Sequence, residues 1–339
     1  MTKTPPKAAV LLMNTGSPDA PDAPSLRKYL AQFLSDGRII EMPAWKWQPI
    51  LRCFILPFRP KASAERYKLV WSSETGSPLI HYTKMIARKM NFEFDKTNSG
   101  VKVFYAMRYG SPSVESVMKE IEQEGIDRIV VLPMFAQYAP QTSAACADAV
   151  FDYLKGSRRI PSLRFVRDYH LDPGYIKAVA EGVERYWEEN GSNIKRGGRL
   201  IISFHGVPEE GVAKGDDYKN RCIETARAVA DSLGLDSDSW KCAFQSRFGR
   251  AEWIKPYTLD EACGMAARGE SMVDVVCPGF AVDCLETIEE IGDEMKRAFS
   301  RSLPPGVEGE FRYIPCLNDS EGAVDFYLNL VKRELQGWT

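Results

Sequence analysis

Three histidines occur in the chain, and His205 is the one placed to do chemistry. It ends the apolar run 200–204 and is followed by Gly206 and Pro208. A neutral imidazole accepts a proton near neutral pH or ligates a divalent cation; a strand-end histidine without such a task packs against a hydrogen-bond partner. His81 and His170 lie in polar stretches and carry a weaker signal. A second signal is CPGFAVDCLETIEEIGDEM (277–295), where Asp283 precedes Glu286, Glu290 and Glu294 at spacings of four. On a helix these glutamates form one acidic stripe, at a cost of about 0.2–0.5 kcal/mol per like-charged pair. A solvated face, with acids favoured at the helix N-terminus by its dipole, accounts for the stripe taken alone. Glu286, however, falls one turn inside a helix that begins at a strand's carboxyl end, in the same crevice as His205. A histidine and a glutamate converging from two strand ends suit a divalent cation, a proton relay, or both.

The elements that must position these residues occur twice. VVLPMFAQ (130–137) is similar to VVCPGFAV (275–282), AMRYG (106–110) to QSRFG (245–249), and LLMNTGSP (11–18) to IISFHGVP (201–208). The order is the same in both sets, which predicts two similar halves. Apolar residues at three and four spacing predict helices over 25–34, 63–71, 78–90, 113–124, 142–155, 173–190, 218–233, 258–268, 285–299 and 320–336. Strands alternating with helices imply an α/β fold, each half a parallel sheet flanked by helices. Ligands on such sheets bind beyond the carboxyl ends of the strands, where all six matched segments lie. The expected domains are 1–172 and 173–317, both Rossmann-like, with 318–339 forming a C-terminal helix that packs back on the first.

The halves differ in length: Gly16 and Arg108 stand 92 positions apart, Gly206 and Arg247 only 41. Much of the excess is 42–71, which holds Trp45, Trp47, Phe54, Phe58 and Trp71, four prolines, and the cations Arg52, Arg59 and Lys61. Such an insertion suits a lid over a flat apolar ligand with acidic edges, a membrane surface met through 42–58, or an ordinary buried helical hairpin. No apolar stretch is long enough to span a bilayer, and the run 8–13 lacks a signal-peptide cleavage site. The eight cysteines include no C-x-x-C pair, which removes the common zinc and dithiol motifs and suits a reducing, cytoplasmic setting. A net charge of −2 leaves no basic footprint for nucleic acid. No strand leads into G-x-G-x-x-G, which removes dinucleotide binding.

These stretches resemble the ferrochelatase family, enzymes that insert ferrous iron into a porphyrin. The resemblance runs from about Val10 to the C-terminus. It passes through NTGSP (14–18), LRKYLAQFLSD (26–36), ETGSPL (74–79), YAMRYGSPS (105–113), FAQYAPQTS (135–143), ISFHGVP (202–208), YKNRC (218–222), FQSRFGRAEW (244–253), CPGFAVDCLETIEEI (277–291) and IPCLNDS (314–320). It implies two Rossmann-like, chelatase-type domains with a cleft between them. It also implies a lyase of the terminal step of haem biosynthesis, acting on protoporphyrin IX and Fe²⁺. On this resemblance His205 and Glu286 are the catalytic and metal-binding pair that faces the porphyrin. Arg108, Tyr138 and Trp253 match positions near the macrocycle, and Tyr67 and Ser77 match the lip region. Arg59 and Lys61 match its basic residues; from the stripe itself, Asp283, Glu290 and Glu294 are expected to act as an acidic relay for protons or hydrated metal. Iron is then a substrate, and no permanently bound cofactor is expected. The cysteine group of members with a [2Fe–2S] cluster has no counterpart after Cys316, and the lack of a dimerisation extension favours a monomer. The implied location is the cytoplasm, with peripheral contact at the inner face of the membrane. Animal members carry a histidine two positions before the glutamate; Cys284 stands there in this chain, which weakens any mechanism needing two histidines on that wall.

The chemistry sets clear demands. A free-base porphyrin is flat and holds two pyrrole protons, so it must be bent and deprotonated before iron enters. His205 can take those protons, with Glu286 favouring the imidazolium, or it can ligate the metal; one lone pair cannot do both at once. Two rivals stand beside this reading: a cobalt chelatase acting on sirohydrochlorin, and a non-catalytic haem or metal carrier.

Overall fold

The computed structural model describes residues 7–247, 249 and 251–339; Phe248 and Arg250 of the FQSRFGRAEW stretch lie outside them. The first sheet is built from β1 (Ala8–Ser17), β2 (Val101–Gly110), β3 (Arg128–Pro133) and β4 (Ser162–Phe165), in the order β2-β1-β3-β4. The second contains β5 (Arg199–His205), β6 (Trp240–Gln245), β7 (Met272–Val276) and β8 (Glu310–Ile314), in the order β6-β5-β7-β8. All pairings are parallel, so the two sheets share one topology. β1 and β5 are central strands covered on both faces, which is why both read as continuous apolar runs.

Two compact units result. One comprises the residues up to Phe135, Ala139–Asp168 and Val324–Thr339; the other comprises Ala136–Tyr138 and Tyr169–Ala323. Tyr138 thus belongs to the second unit, although it lies within the first half of the sequence. The C-terminal segment of the first unit is held by Arg164 and Arg128, which donate to the carbonyls of Gln336 (3.0 Å) and Trp338 (2.8 Å). The core of the first unit centres on Leu11, Met13, Ile129 and Val131; that of the second on Ile201, Val275, Ile291 and Phe299. Each such fully buried side chain contributes about 1.5–3 kcal/mol by leaving water.

In each unit β1 or β5 connects to one side of the sheet and β3 or β7 to the other. The carboxyl ends of these neighbours therefore open a crevice at the switch in direction. Two glycines let the chain turn there. Gly16 has φ +107, and a Cβ on it would lie 1.8 Å from the Tyr109 carbonyl oxygen. A Cβ on its repeat mate Gly206 would lie 3.0 Å from the Gln245 oxygen and 3.1 Å from the Trp253 ring.

Two features depart from the sequence expectations. The residues after β3 and β7 begin as π-helix, over Pro140–Ala144 and Glu286–Met295, where α-helix is expected. Spacing by three and four marks the apolar face but does not distinguish these two windings. Glu286 consequently opens its helix instead of lying one turn inside it. The insertion forms Ala44–Ile50, a π-helical Leu51–Ile55, and Arg59–Val70. Leu51 packs beneath it and the Trp47 indole donates to the Leu34 carbonyl (2.6 Å), but Trp45, Phe54 and Phe58 are 74%, 69% and 73% exposed. A buried hairpin is not what forms.

Candidate active site

His205 sits half-buried at the carboxyl end of β5. Its Nδ1 lies 2.6 Å from the Gly206 carbonyl oxygen. A carbonyl only accepts, so in the neutral ring Nδ1 carries the hydrogen and Nε2 keeps its lone pair. The backbone around His205 is fixed as well: its carbonyl accepts from the Tyr218 hydroxyl (2.9 Å), and the next N–H, of Gly206, donates to the Gln245 carbonyl of β6 (2.8 Å). Trp253 and Phe280 flank the imidazole, with ring centroids 6.2 Å and 6.3 Å away. The site thus presents one unprotonated nitrogen between two apolar rings.

The acidic residues arrive from β7. Glu286 and Glu290 are half-buried, and Glu294 one further step along is exposed. Both oxygens of Glu290 are occupied by one residue: Ser246 donates its N–H (2.7 Å) and its hydroxyl (2.6 Å). Burial raises the Glu290 carboxyl above the usual carboxylate range, the Ser246 hydrogen bonds and the charge of His205 oppose that rise, and Glu286 adds to it. Asp283 is placed differently. It is buried, and its carboxylate accepts from Thr287 (3.1 Å), the Tyr313 hydroxyl, the Cys316 N–H (3.4 Å) and Asn318 (2.6 Å). It ties the turn before the helix to the segment after β8.

A polar network that sequence reasoning missed lies under these groups. Gln245, at the end of β6, donates to the Glu286 carbonyl (2.8 Å) and accepts from Ser203 (2.9 Å) and Cys277 (3.3 Å). Ser203 also shares a hydrogen bond with Thr258 (2.8 Å). The ends of β5, β6 and β7 are thereby locked to the start of the glutamate helix. A signal for it existed: Gln245 and Ser246 occupy the places that Ala106 and Met107 hold in the first repeat. The thiols of Cys277, Cys284 and Cys316 are buried, and burial together with nearby carboxylates pushes all three well up.

Trp253 joins His205 as described, and Tyr138 is a half-buried residue of the same unit. The other sequence candidates are on the first unit. Arg108 places Nη2 2.5 Å from Asp36, which also accepts from the Tyr109 hydroxyl (2.8 Å). Arg59 is half-buried, and burial and Arg66 lower its guanidinium below the usual range. Lys61 is exposed, Tyr67 half-buried, and Ser77 buried at the start of Pro78–Lys96. Among the described residues no three His, Cys, Asp or Glu side chains are grouped to hold a metal ion, and no helix is long and apolar enough to cross a membrane.

Comparison with solved structures places the fold among chelatases. SirB from Bacillus subtilis with Fe³⁺ matches with a TM-score of 0.55 at 11% identity, covering 96% of this chain and 94% of that one. The sirohydrochlorin chelatase SirB in complex with cobalt matches at 0.54 and 10% identity, covering 97% and 96%. At these identities the likeness establishes the fold alone. Sequence comparison goes further. Ferrochelatases of Polaromonas sp., Chromobacterium violaceum and Marinobacter nauticus are 47%, 45% and 43% identical to this chain, over 97–98% of it and 88–90% of their own length. The ferrochelatase family itself is matched across residues 7–335, and the chain belongs to that family.

Proposed function

We propose that His205 is the base of iron insertion and that the glutamates after β7 handle the displaced protons and the incoming metal. A ferrochelatase is a lyase that puts ferrous iron into a porphyrin in haem biosynthesis; protoporphyrin IX is the substrate we assign. The observation that carries the role of His205 is the Nδ1 contact with the Gly206 carbonyl, which leaves Nε2 as the free lone pair. Insertion replaces two N–H bonds by metal–nitrogen bonds and releases two protons. His205 Nε2 takes them one at a time, and Glu286 stabilises each imidazolium before the proton passes along Glu290 and Glu294 to solvent. Iron enters once lone pairs are exposed, with Glu286 and Glu290 as oxygen donors suited to a hydrated divalent cation. Trp253 and Phe280 give the apolar surface against which a bent ring is held, with binding energy offsetting the distortion. Tyr138 contributes to the same surface. Asp283 is assigned to holding the helix entry, because it is buried and accepts from Thr287, Tyr313, Cys316 and Asn318.

Arg59 and Lys61 are the propionate partners we favour, since the charge of Arg108 is taken up by Asp36. Tyr67 and Ser77 are assigned to the substrate lip. No resident cofactor or iron–sulfur cluster is part of this proposal, in which iron is the substrate. The exposed Trp45, Phe54 and Phe58, with Lys46 and Arg52 beside them, support peripheral contact of a cytoplasmic monomer with a membrane through 42–58.

Anaerobic rates with Fe²⁺ test the substrate assignment. Protoporphyrin IX is expected to turn over faster than coproporphyrin or sirohydrochlorin. Preferred turnover of either alternative would overturn it, and tight binding of all three without turnover would favour a carrier.

A further inference from the structure

Ser246 has φ +65, and among the described residues the other non-glycine residues with positive φ are two asparagines, Asn98 and Asn318. Asparagine tolerates that conformation through its short amide; serine does so less readily, and such strain gathers where it serves a site. The repeat does not require it at this place: Met107, the matching residue of the first unit, continues β2 opposite Asn14 and has no positive φ. What the left-handed turn achieves is to point the N–H and the hydroxyl of one residue at the two oxygens of one carboxylate, 2.7 Å and 2.6 Å away. A glutamate has three rotatable side-chain bonds; a donor on each oxygen leaves one orientation, with the remaining lone pairs fixed in direction. Gln245, the preceding residue, holds the Glu286 carbonyl, so adjacent residues set the start of the glutamate helix and its second acid.

We propose that Ser246 is a positioning residue for metal delivery: it clamps the Glu290 carboxylate as a fixed pair of oxygens for incoming Fe²⁺ beside His205. This rests on the reading of Glu290 as a metal-handling group. A pre-aimed acceptor lowers the ordering needed when a hydrated cation arrives, so losing the clamp weakens metal capture before it touches porphyrin binding.

Ser246→Gly removes the hydroxyl while keeping the N–H and easing the left-handed backbone. Initial rates in Fe²⁺ and, separately, Zn²⁺ are expected to show a metal KM raised about tenfold, the loss of one charge-assisted hydrogen bond. The porphyrin KM should stay within about twofold. Ser246→Asn, which returns a donor and accepts positive φ, should recover part of the loss. On a Glu290→Gln background Ser246→Gly should add nothing. The proposal is overturned if Ser246→Gly leaves the metal KM unchanged while Glu290→Gln raises it. It is also overturned if metal and porphyrin KM rise together, or if the Ser246→Gly effect persists in full on the Glu290→Gln background. A Glu290→Gln enzyme with an unchanged metal KM would instead defeat the reading of Glu290 itself.

Discussion

The two units follow one strand order, with a tight glycine at the carboxyl end of the first strand and a π-helical start after the third, yet their strand ends are equipped differently. Aligned by the repeat, Thr15 stands where the second unit has His205, Met107 where it has Ser246, Gln141 where it has Glu286, and Ala145 where it has Glu290. The first unit uses its strand end for cohesion. Asp36 takes Arg108 and the Tyr109 hydroxyl, pinning β2 to the segment that follows Ala23–Leu34, and its charge together with burial raises the Tyr109 phenol. The topology therefore supplies a crevice in both units, and the second lines its own with a histidine and glutamates where the first has Thr15, Gln141 and Ala145.

The largest expected contrast between the two is in turnover. His205→Ala should lower kcat by at least about 100-fold, the usual worth of a positioned base, while Thr15→Ala should cost less than about tenfold. Equal losses would break the comparison. Next comes stability. Asp283→Ala strands the Tyr313 hydroxyl and the Asn318 amide and should cost about 2–4 kcal/mol in urea unfolding. Asp36→Ala should cost about 1–3 kcal/mol in the same experiment, by stranding Arg108 and Tyr109.

The smallest effect is a pH slope. The Glu290 carboxyl is raised in the folded state, chiefly by burial, so the folded protein binds that proton more tightly than the unfolded chain. Its contribution is present at low pH and is lost as pH rises from the ordinary glutamate value through the raised one. Stability measured over about pH 4 to 8 should fall less steeply in that window for Glu290→Gln than for the parent chain. The first unit has alanine at the matching place and contributes no such slope.

Much of this difference is legible in the sequence, because Thr15, Gln141 and Ala145 bring neither a base nor a carboxylate where the other repeat has His205, Glu286 and Glu290. The parallel sheets followed from apolar runs alternating with helical spacing. What the pattern did not carry was set by packing. The Asp36–Arg108 pair joins residues 72 apart and turns a cation matched to the macrocycle's surroundings into one already engaged. Asp283 reads as part of an acidic run but is buried by neighbours from after β8, which no local spacing announces. The π-helical windings and the left-handed Ser246 are backbone states that their residue types do not mark.

The central claim, that one strand-end imidazole carries the insertion, is most directly tested in a single turnover. Porphyrin-loaded His205→Ala enzyme is mixed anaerobically with Fe²⁺ and followed by absorption, beside the parent enzyme. The account predicts that the parent's free-base spectrum collapses to the metalated one, while the variant binds porphyrin comparably and keeps the free-base spectrum. Conversion by His205→Ala at the parental rate would contradict it.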